Sequence, residues 1–290
     1  MPVAQLRPFE PGDVSILDAW SQEAPVEHCY LQNQLEKFGT TGFVAVGRPM
    51  RVGAYVRPAR LVVPFGPAAA GAELARSLRE VGVPLRYVVG RLDLVDALWQ
   101  EIRGDLPAPM WVRHNTLYAL PRGGLAAPAE GPGHGRLRRP SLADLPWLVN
   151  ASARMDLEDR GVDMKAEDLD GLERYMVWLM GERLVFLWED DAGRPVFKAQ
   201  AACLGPLGAL VEGVFTEPEA RGRGVAGRAL RAMSSELLER TPRLGLYVNT
   251  DNVAAVRLYE SVGYRPVGAY RSVYFRQPAE FTPGASGPRP

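Results

Sequence analysis

The strand-like run Ala209-Leu210-Val211-Glu212-Gly213-Val214-Phe215-Thr216 is succeeded at Arg221-Gly222-Arg223-Gly224-Val225-Ala226-Gly227 by a Gly-rich turn, and that turn opens a helical pattern from Ala229 to Leu238. A strand that passes through such a turn into a helix aims several backbone N–H groups at one spot. The positive end of the helix dipole falls at the same spot. The glycines let the chain approach a ligand with no Cβ in the way. A pyrophosphate fits a cradle of this kind. A Gly-x-Gly turn by itself is equally an ordinary strand-to-helix connection, so the decision rests on the residues downstream of it.

Downstream stand Leu246-Tyr247-Val248-Asn249, a polar turn Thr250-Asp251-Asn252, and a helical stretch Val253 to Val262 that ends at Gly263-Tyr264. Together the two segments resemble the acetyl-CoA site of the GNAT acyltransferases. The Arg-x-x-Gly-x-Ala signature of that family is met by Arg221, Gly224 and Ala226. Its Asn…Ala…Leu-Tyr-x-x-x-Gly-Phe segment is met by Asn252, Ala255, Leu258, Tyr259 and Gly263, with Tyr264 in place of Phe.

The resemblance implies an α/β (α+β) fold with a mixed, mostly antiparallel central sheet flanked by helices. It implies acetyl-CoA as co-substrate and no metal. Backbone groups of Val214, Phe215 and Thr216 would pair with the pantetheine arm where the sheet splays between Ala209–Thr216 and Leu244–Asn249. The N–H groups of Arg223, Gly224, Val225, Ala226 and Gly227 would take the pyrophosphate, with Gly222 in the same loop and Arg221 adding charge. Arg228 either adds charge there or lies on a solvated helix face. Asn252 would cap its helix and also touch the ligand arm. Tyr259 would protonate the departing thiolate.

An attacking amine must be neutral, so a base has to take its proton. Glu212 is the candidate. It stands two residues before Val214 and four before Thr216, which places the three on one face of a regular strand. A carboxylate in an apolar strand is costly without a purpose or a partner; the alternative role is to pair with an Arg of a neighbouring strand. The acids Asp156, Glu158, Asp159, Asp163, Glu167, Asp168 and Asp170 crowd the connection between two predicted helices. They read as an acceptor-attracting loop or as a solvated one.

The 290 residues allow two units, and 47% apolar composition supplies sizeable cores. The 34 basic and 34 acidic residues cancel, which gives no reason to expect nucleic acid or an anionic membrane as partner. Cys29 and Cys203 read as buried thiols, and His28, His114 and His134 are too dispersed for a metal site. Met1–Pro8 shows no signal-peptide core, no run is long enough to span a membrane, and a cytoplasmic location is the expectation.

Residues 123–135 are rich in Gly and Pro and read as a linker, with a similar tail over 278–290. Between them, residues 136–277 read as the catalytic unit, with Ser141 and Asp144 as a capping-box variant at its first helix. Residues 1–122 read as a degenerate copy of the same plan. Its counterpart of the Gly-rich turn, Val63-Pro64-Phe65-Gly66-Pro67-Ala68, has one Gly, no Arg and two prolines without N–H groups. Val112–Leu120 is predicted to close that first unit. The chain is thus expected to be a tandem GNAT protein that moves acetyl from acetyl-CoA to a small amine or peptide by direct attack in a ternary complex. A non-catalytic acyl-CoA-binding sensor is the alternative. Oligomeric state stays open, a homodimer included.

Overall fold

The computed structural model of the chain describes residues 5–57, 60–127, 135–164 and 168–281. His134, Lys165, Glu167, most of the expected linker and the tail beyond 281 lie outside them.

The first half runs β1 (Leu6–Pro8), α1 (Pro11–Glu23), α2 (Pro25–Phe38), β2 (Phe43–Val46), β3 (Val52–Val56), β4 (Leu61–Phe65), α3 (Gly71–Val81), β5 (Leu85–Arg91), α4 (Leu92–Ile102) and β6 (Trp111–Pro121). The second runs β7 (Arg136–Arg138), α5 (Leu145–Arg160), α6 (Leu169–Gly181), β8 (Val185–Glu189), β9 (Pro195–Gly205), β10 (Gly208–Thr216), α7 (Val225–Arg240), β11 (Arg243–Asn249), α8 (Val253–Val262) and β12 (Arg265–Ala279). Ser141 and Asp144 do form a capping box, ahead of a short 3-10 turn that leads into α5.

The sequence reading missed β1 and α1. Their stability is polar as much as apolar, which hides them from a hydrophobic-period reading. Glu10 and Asp13 make a capping box at the start of α1. The Asp13 side chain is buried and accepts from Arg7 Nη2 at 2.9 Å, tying β1 to α1.

All the strands lie in one twelve-stranded sheet, in the order β1-β2-β3-β4-β5-β12-β6-β11-β10-β9-β8-β7. Each half contributes an antiparallel run, β1 to β4 and β7 to β10, and then a parallel pair, β4 with β5 and β10 with β11. The last strand of each half then crosses over. β6 pairs with β11 along Asn115–Pro121, and β12 pairs with β5 from Arg91↔Tyr270 onward. The two crossing strands pair with each other in the middle of the sheet. Val112–Leu120 therefore does not close the first half. It lies between β11 and β12, because β12 is a single strand of 15 residues, long enough to take the place beside β5.

Helix α2 also reaches across. Asn33 Nδ2 donates to the Leu204 carbonyl at 3.2 Å, Val26 packs over Gly245, and buried Cys29 meets Cys203 with the sulfurs 4.0 Å apart. The second-half core sits between the sheet and α5, α6, α7 and α8, centred on Phe186, Phe197, Leu230, Leu237, Leu246 and Tyr264. Residues 123–127 pack against it: the Ala126 N–H donates to the Val262 carbonyl, and Arg231 donates to the Ala126 carbonyl.

Candidate active site

The parallel pairing of β10 with β11 covers only Ala209↔Leu244, Leu210↔Gly245 and Val211↔Leu246. Beyond Val211 the two strands part. Opposite, β10 pairs with β9 at Glu212↔Gln200 and next at Phe215↔Lys198, so β10 carries one extra residue there. This is a β-bulge, and its cause is Gly213, at φ +64°. A Cβ on Gly213 would lie 2.8 Å from the Gln200 side chain and 3.1 Å from Lys198 Nζ. The bulge overturns the strict alternation expected for Glu212, Val214 and Thr216. Those three still line one cavity, together with Gly213, while the Phe215 ring is buried away from it under the guanidinium groups of Arg154 and Arg221.

That cavity has a volume of about 1510 Å³ and runs the length of the cleft. At one end lies the Gly-rich loop. Gly222 and Gly224 have φ of +73° and +71°, and α7 begins at Val225 with Gly224 as its N-cap. Gly222, Gly224, Val225, Ala226 and Gly227 line the cavity; Arg223 does not. Arg221 braces the loop, donating to the Thr216 carbonyl at 3.0 Å and pairing with Glu158 at 2.7 Å. Arg228 bends over the loop, with Nη2 donating to the Arg223 carbonyl. Its Nε is buried and has no hydrogen-bond partner, which a buried donor in a finished site rarely shows. Sequence alone divides Arg228 evenly between a binding and a solvated role.

In the middle lie Asn252 and Tyr259. Asn252 caps α8, accepting from the Ala255 N–H at 3.1 Å, and also lines the cavity. Tyr259 is buried, edge-on to Tyr264, and its hydroxyl has no side-chain or backbone partner among the described residues. Burial, with Asp159 nearby, pushes the phenol above its ordinary value. It therefore holds its proton through the neutral range.

At the far end is Glu212. Its Oε1 accepts from the Tyr175 hydroxyl at 2.7 Å and from Gln200 Nε2 at 3.1 Å. Among the described residues no Arg pairs with Glu212, the partner considered from sequence; a phenol and an amide hold the carboxylate instead. Burial and the Glu212 charge keep the Tyr175 phenol protonated. Lys198 is fully buried beside this group, with Nζ donating to Gln200 Oε1 at 3.2 Å. Loss of hydration lowers its ammonium to about 8, against the pull of Asp156 and Glu212. Tyr175, Gln200 and Lys198 were not singled out from sequence. A Gly inside a strand signals a bulge, and that signal at Gly213 leads to the residues opposite it.

Three acids of the run are engaged within the protein. Asp156 and Glu158 belong to the last turns of α5 and pair with Arg160 at 2.6 Å and with Arg221. Asp168 caps α6 through the Gly171 N–H. Among the described residues, no three His, Cys, Asp or Glu side chains group as a metal site, and no helix is long and apolar enough to cross a membrane. In the first half, β4 and β5 pair at Leu61↔Tyr87 and Val62↔Val88, and the Pro64 ring packs against Gly90.

Comparison with known proteins locates the same region. The family model described as FR47-like protein matches residues 194–273. A mycothiol acetyltransferase of Acidothermus cellulolyticus is 34% identical over 149 residues, which cover 46% of this chain and 45% of that protein. The chain thus spans about half the length of the curated relative it matches. A solved Drosophila protein superposes with a TM-score of 0.68 at 16% identity, over 94% of this chain and 99% of that one. A GCN5-related N-acetyltransferase from Sphaerobacter thermophilus gives 0.62 at 18%, over 98% of each chain.

Proposed function

We propose that the chain is an N-acetyltransferase of the GNAT superfamily, as the matches to an FR47-like model and to an acetyltransferase support, and that it transfers acetyl from acetyl-CoA to an amine by direct attack in a ternary complex. One observation carries the reading: a single cavity joins the anion-shaped loop, an unpartnered buried phenol and a carboxylate held at the bulge. The pyrophosphate would sit on the N–H groups of residues 224–227, at the start of α7; Arg223, expected there from sequence, does not line the cavity. The orphaned Arg228 Nε and the Cβ-free approach at Gly224 fit it. The pantetheine arm would lie between the parted strands, against the backbone of Val214–Thr216, of which the Thr216 carbonyl already accepts from Arg221.

Glu212 would take a proton from the acceptor ammonium, freeing the nitrogen lone pair. As the C–N bond forms and the C–S bond breaks, Tyr259 would hand its proton to the sulfur, and the second proton that the nitrogen sheds on becoming an amide would return through water to the phenolate. Tyr175 and Gln200 fix the carboxylate so that it faces the cavity. We read residues 136–277 as the catalytic unit and residues 1–122 as a copy that binds no CoA, its counterpart of the Gly-rich turn carrying Pro64 and Pro67 without N–H groups.

The test is thiol release from acetyl-CoA over a panel of amines, run on the wild type and on Tyr259→Phe. Phenylalanine keeps the ring and removes only the proton donor. Turnover should fall at least tenfold, at the low end of the roughly 10²–10⁴-fold reach of general acid catalysis or just below it, while CoA affinity stays near wild type. Equal turnover of the two proteins would leave Tyr259 a packing residue.

A further inference from the structure

The acceptor end of the cavity is not built by the catalytic half alone. Arg57, just after β3, and Tyr87 of β5 both line it. Behind Arg57 stands Tyr30 of α2, whose hydroxyl accepts from Arg57 Nη1 at 3.2 Å. The Arg57 charge interacts with Tyr30, Tyr175 and Tyr55. Tyr175 is the residue that holds Glu212. Arg57 thus brings a charge from the first half into the cavity that Tyr175 and Glu212 also line.

Among the cavity's other charges near this end, the Lys198 ammonium donates to the neutral amide of Gln200. Asp156 pairs with Arg160, and Glu212 is taken by Tyr175 and Gln200. Arg57 makes no ion pair with any carboxylate among the described residues. A half-buried guanidinium has given up part of its hydration, and it carries five N–H donors in a rigid fork. A single neutral phenol does not replace that hydration. A planar anion in the cavity would, through two parallel hydrogen bonds.

We infer that Arg57 is the recognition residue for a carboxylate on the acceptor, which is then an α-amino acid or a similarly compact amine bearing a carboxylate. The amine lies at Glu212 and the carboxylate at Arg57. The first half completes the substrate site. This rests on the acetyl-transfer reading above. In that reaction the acceptor nitrogen gains the acetyl group, the thioester C–S bond breaks, and CoA leaves as the thiol. The product is an N-acetyl amino acid.

The test compares glycine, L-phenylalanine and L-glutamate with their carboxamides as acceptors for the full chain at saturating acetyl-CoA. The wild type should favour the free acids in kcat/KM. In Arg57→Gln that preference should shrink on the order of 10- to 100-fold, as loss of a charged hydrogen-bonded pair predicts. The change should appear in the acceptor KM, with the acetyl-CoA KM unmoved. Arg57→Lys should recover part of it, because it keeps the charge without the fork. A wild type that favours the amides, or a preference unchanged in Arg57→Gln, overturns the proposal. If no amine is turned over at all, the transfer reading fails, and calorimetric binding of the same acids and amides to the CoA-loaded chain decides Arg57 separately. Acid-selective binding lost in Arg57→Gln upholds the site; unselective or absent binding rejects it.

Discussion

Lys198→Met should stabilise the protein at neutral pH and cease to do so in alkali. Lys198 is fully buried, and burial brings its ammonium from an ordinary value of 10.5 down to about 8. The unfolded chain therefore binds this proton more tightly than the folded one. Below pH 8 both states are protonated, and the whole cost of burying the charge weighs on the folded state. Between pH 8 and 10.5 the folded chain sheds the proton first and its stability climbs; above 10.5 the cost is gone. A gap of roughly 2.5 pH units at about 1.4 kcal/mol each gives a cost of about 3 kcal/mol. Methionine keeps a flexible chain of similar length in the same space. It loses the hydrogen bond to Gln200, for which we subtract about 1 kcal/mol. The variant should thus be more stable by about 2 kcal/mol at pH 7. Its advantage should narrow steadily and vanish or reverse slightly by about pH 10.5. Urea denaturation of both proteins at pH 7, 9 and 10.5 measures the difference, and comparison at equal pH cancels the other titrating groups. A variant less stable at pH 7, or an advantage that does not narrow with pH, would refute the argument and show that the Lys198 charge is compensated within the folded site.

The site carries three further expected outcomes. Glu212→Gln keeps the Tyr175 contact but cannot accept a proton; turnover should fall most where the acceptor amine is protonated and recover in part as pH rises, which a pH–rate profile reads directly. Arg228→Met removes the orphaned Nε and one positive charge, so acetyl-CoA should bind roughly tenfold more weakly and with a shallower salt dependence in calorimetric titrations; unchanged affinity would return Arg228 to the solvated helix face. Gly224→Pro cannot hold φ +71° and removes an N–H from the cradle; CoA binding should be lost, and unchanged affinity would mean that the anion sits elsewhere.

Local pattern carried much of this protein. The strand, Gly-rich turn and helix from Gly208 to Arg240, and the strand–helix pair ending at Gly263, lie where the sequence put them. A helix or strand period and a turn residue are written in neighbouring side chains, and the proposed CoA contacts of these motifs are made by their own backbone. For the same reason Asn252 and Tyr259 could be placed on their helix before any tertiary contact was known. The acids of 156–170 were read as charges and not as partners; Asp156 and Arg160 stand four apart on one helix, a local pair, but Arg221 reaches Glu158 only once α5 and the loop after β10 are folded together. Strand exchange was illegible altogether. β6 and β12 have the same alternation whether they close their own half or cross to the other, since a strand's period says which face is buried and nothing about its neighbour. The surroundings of Glu212 were decided at the same level. Tyr175 comes from α6, Gln200 and Lys198 from β9, and Arg57 from the other half of the chain. They meet because Gly213 bulges one strand and two halves share one sheet. Side chains so far apart in sequence are brought together only by long-range packing, which no local pattern specifies.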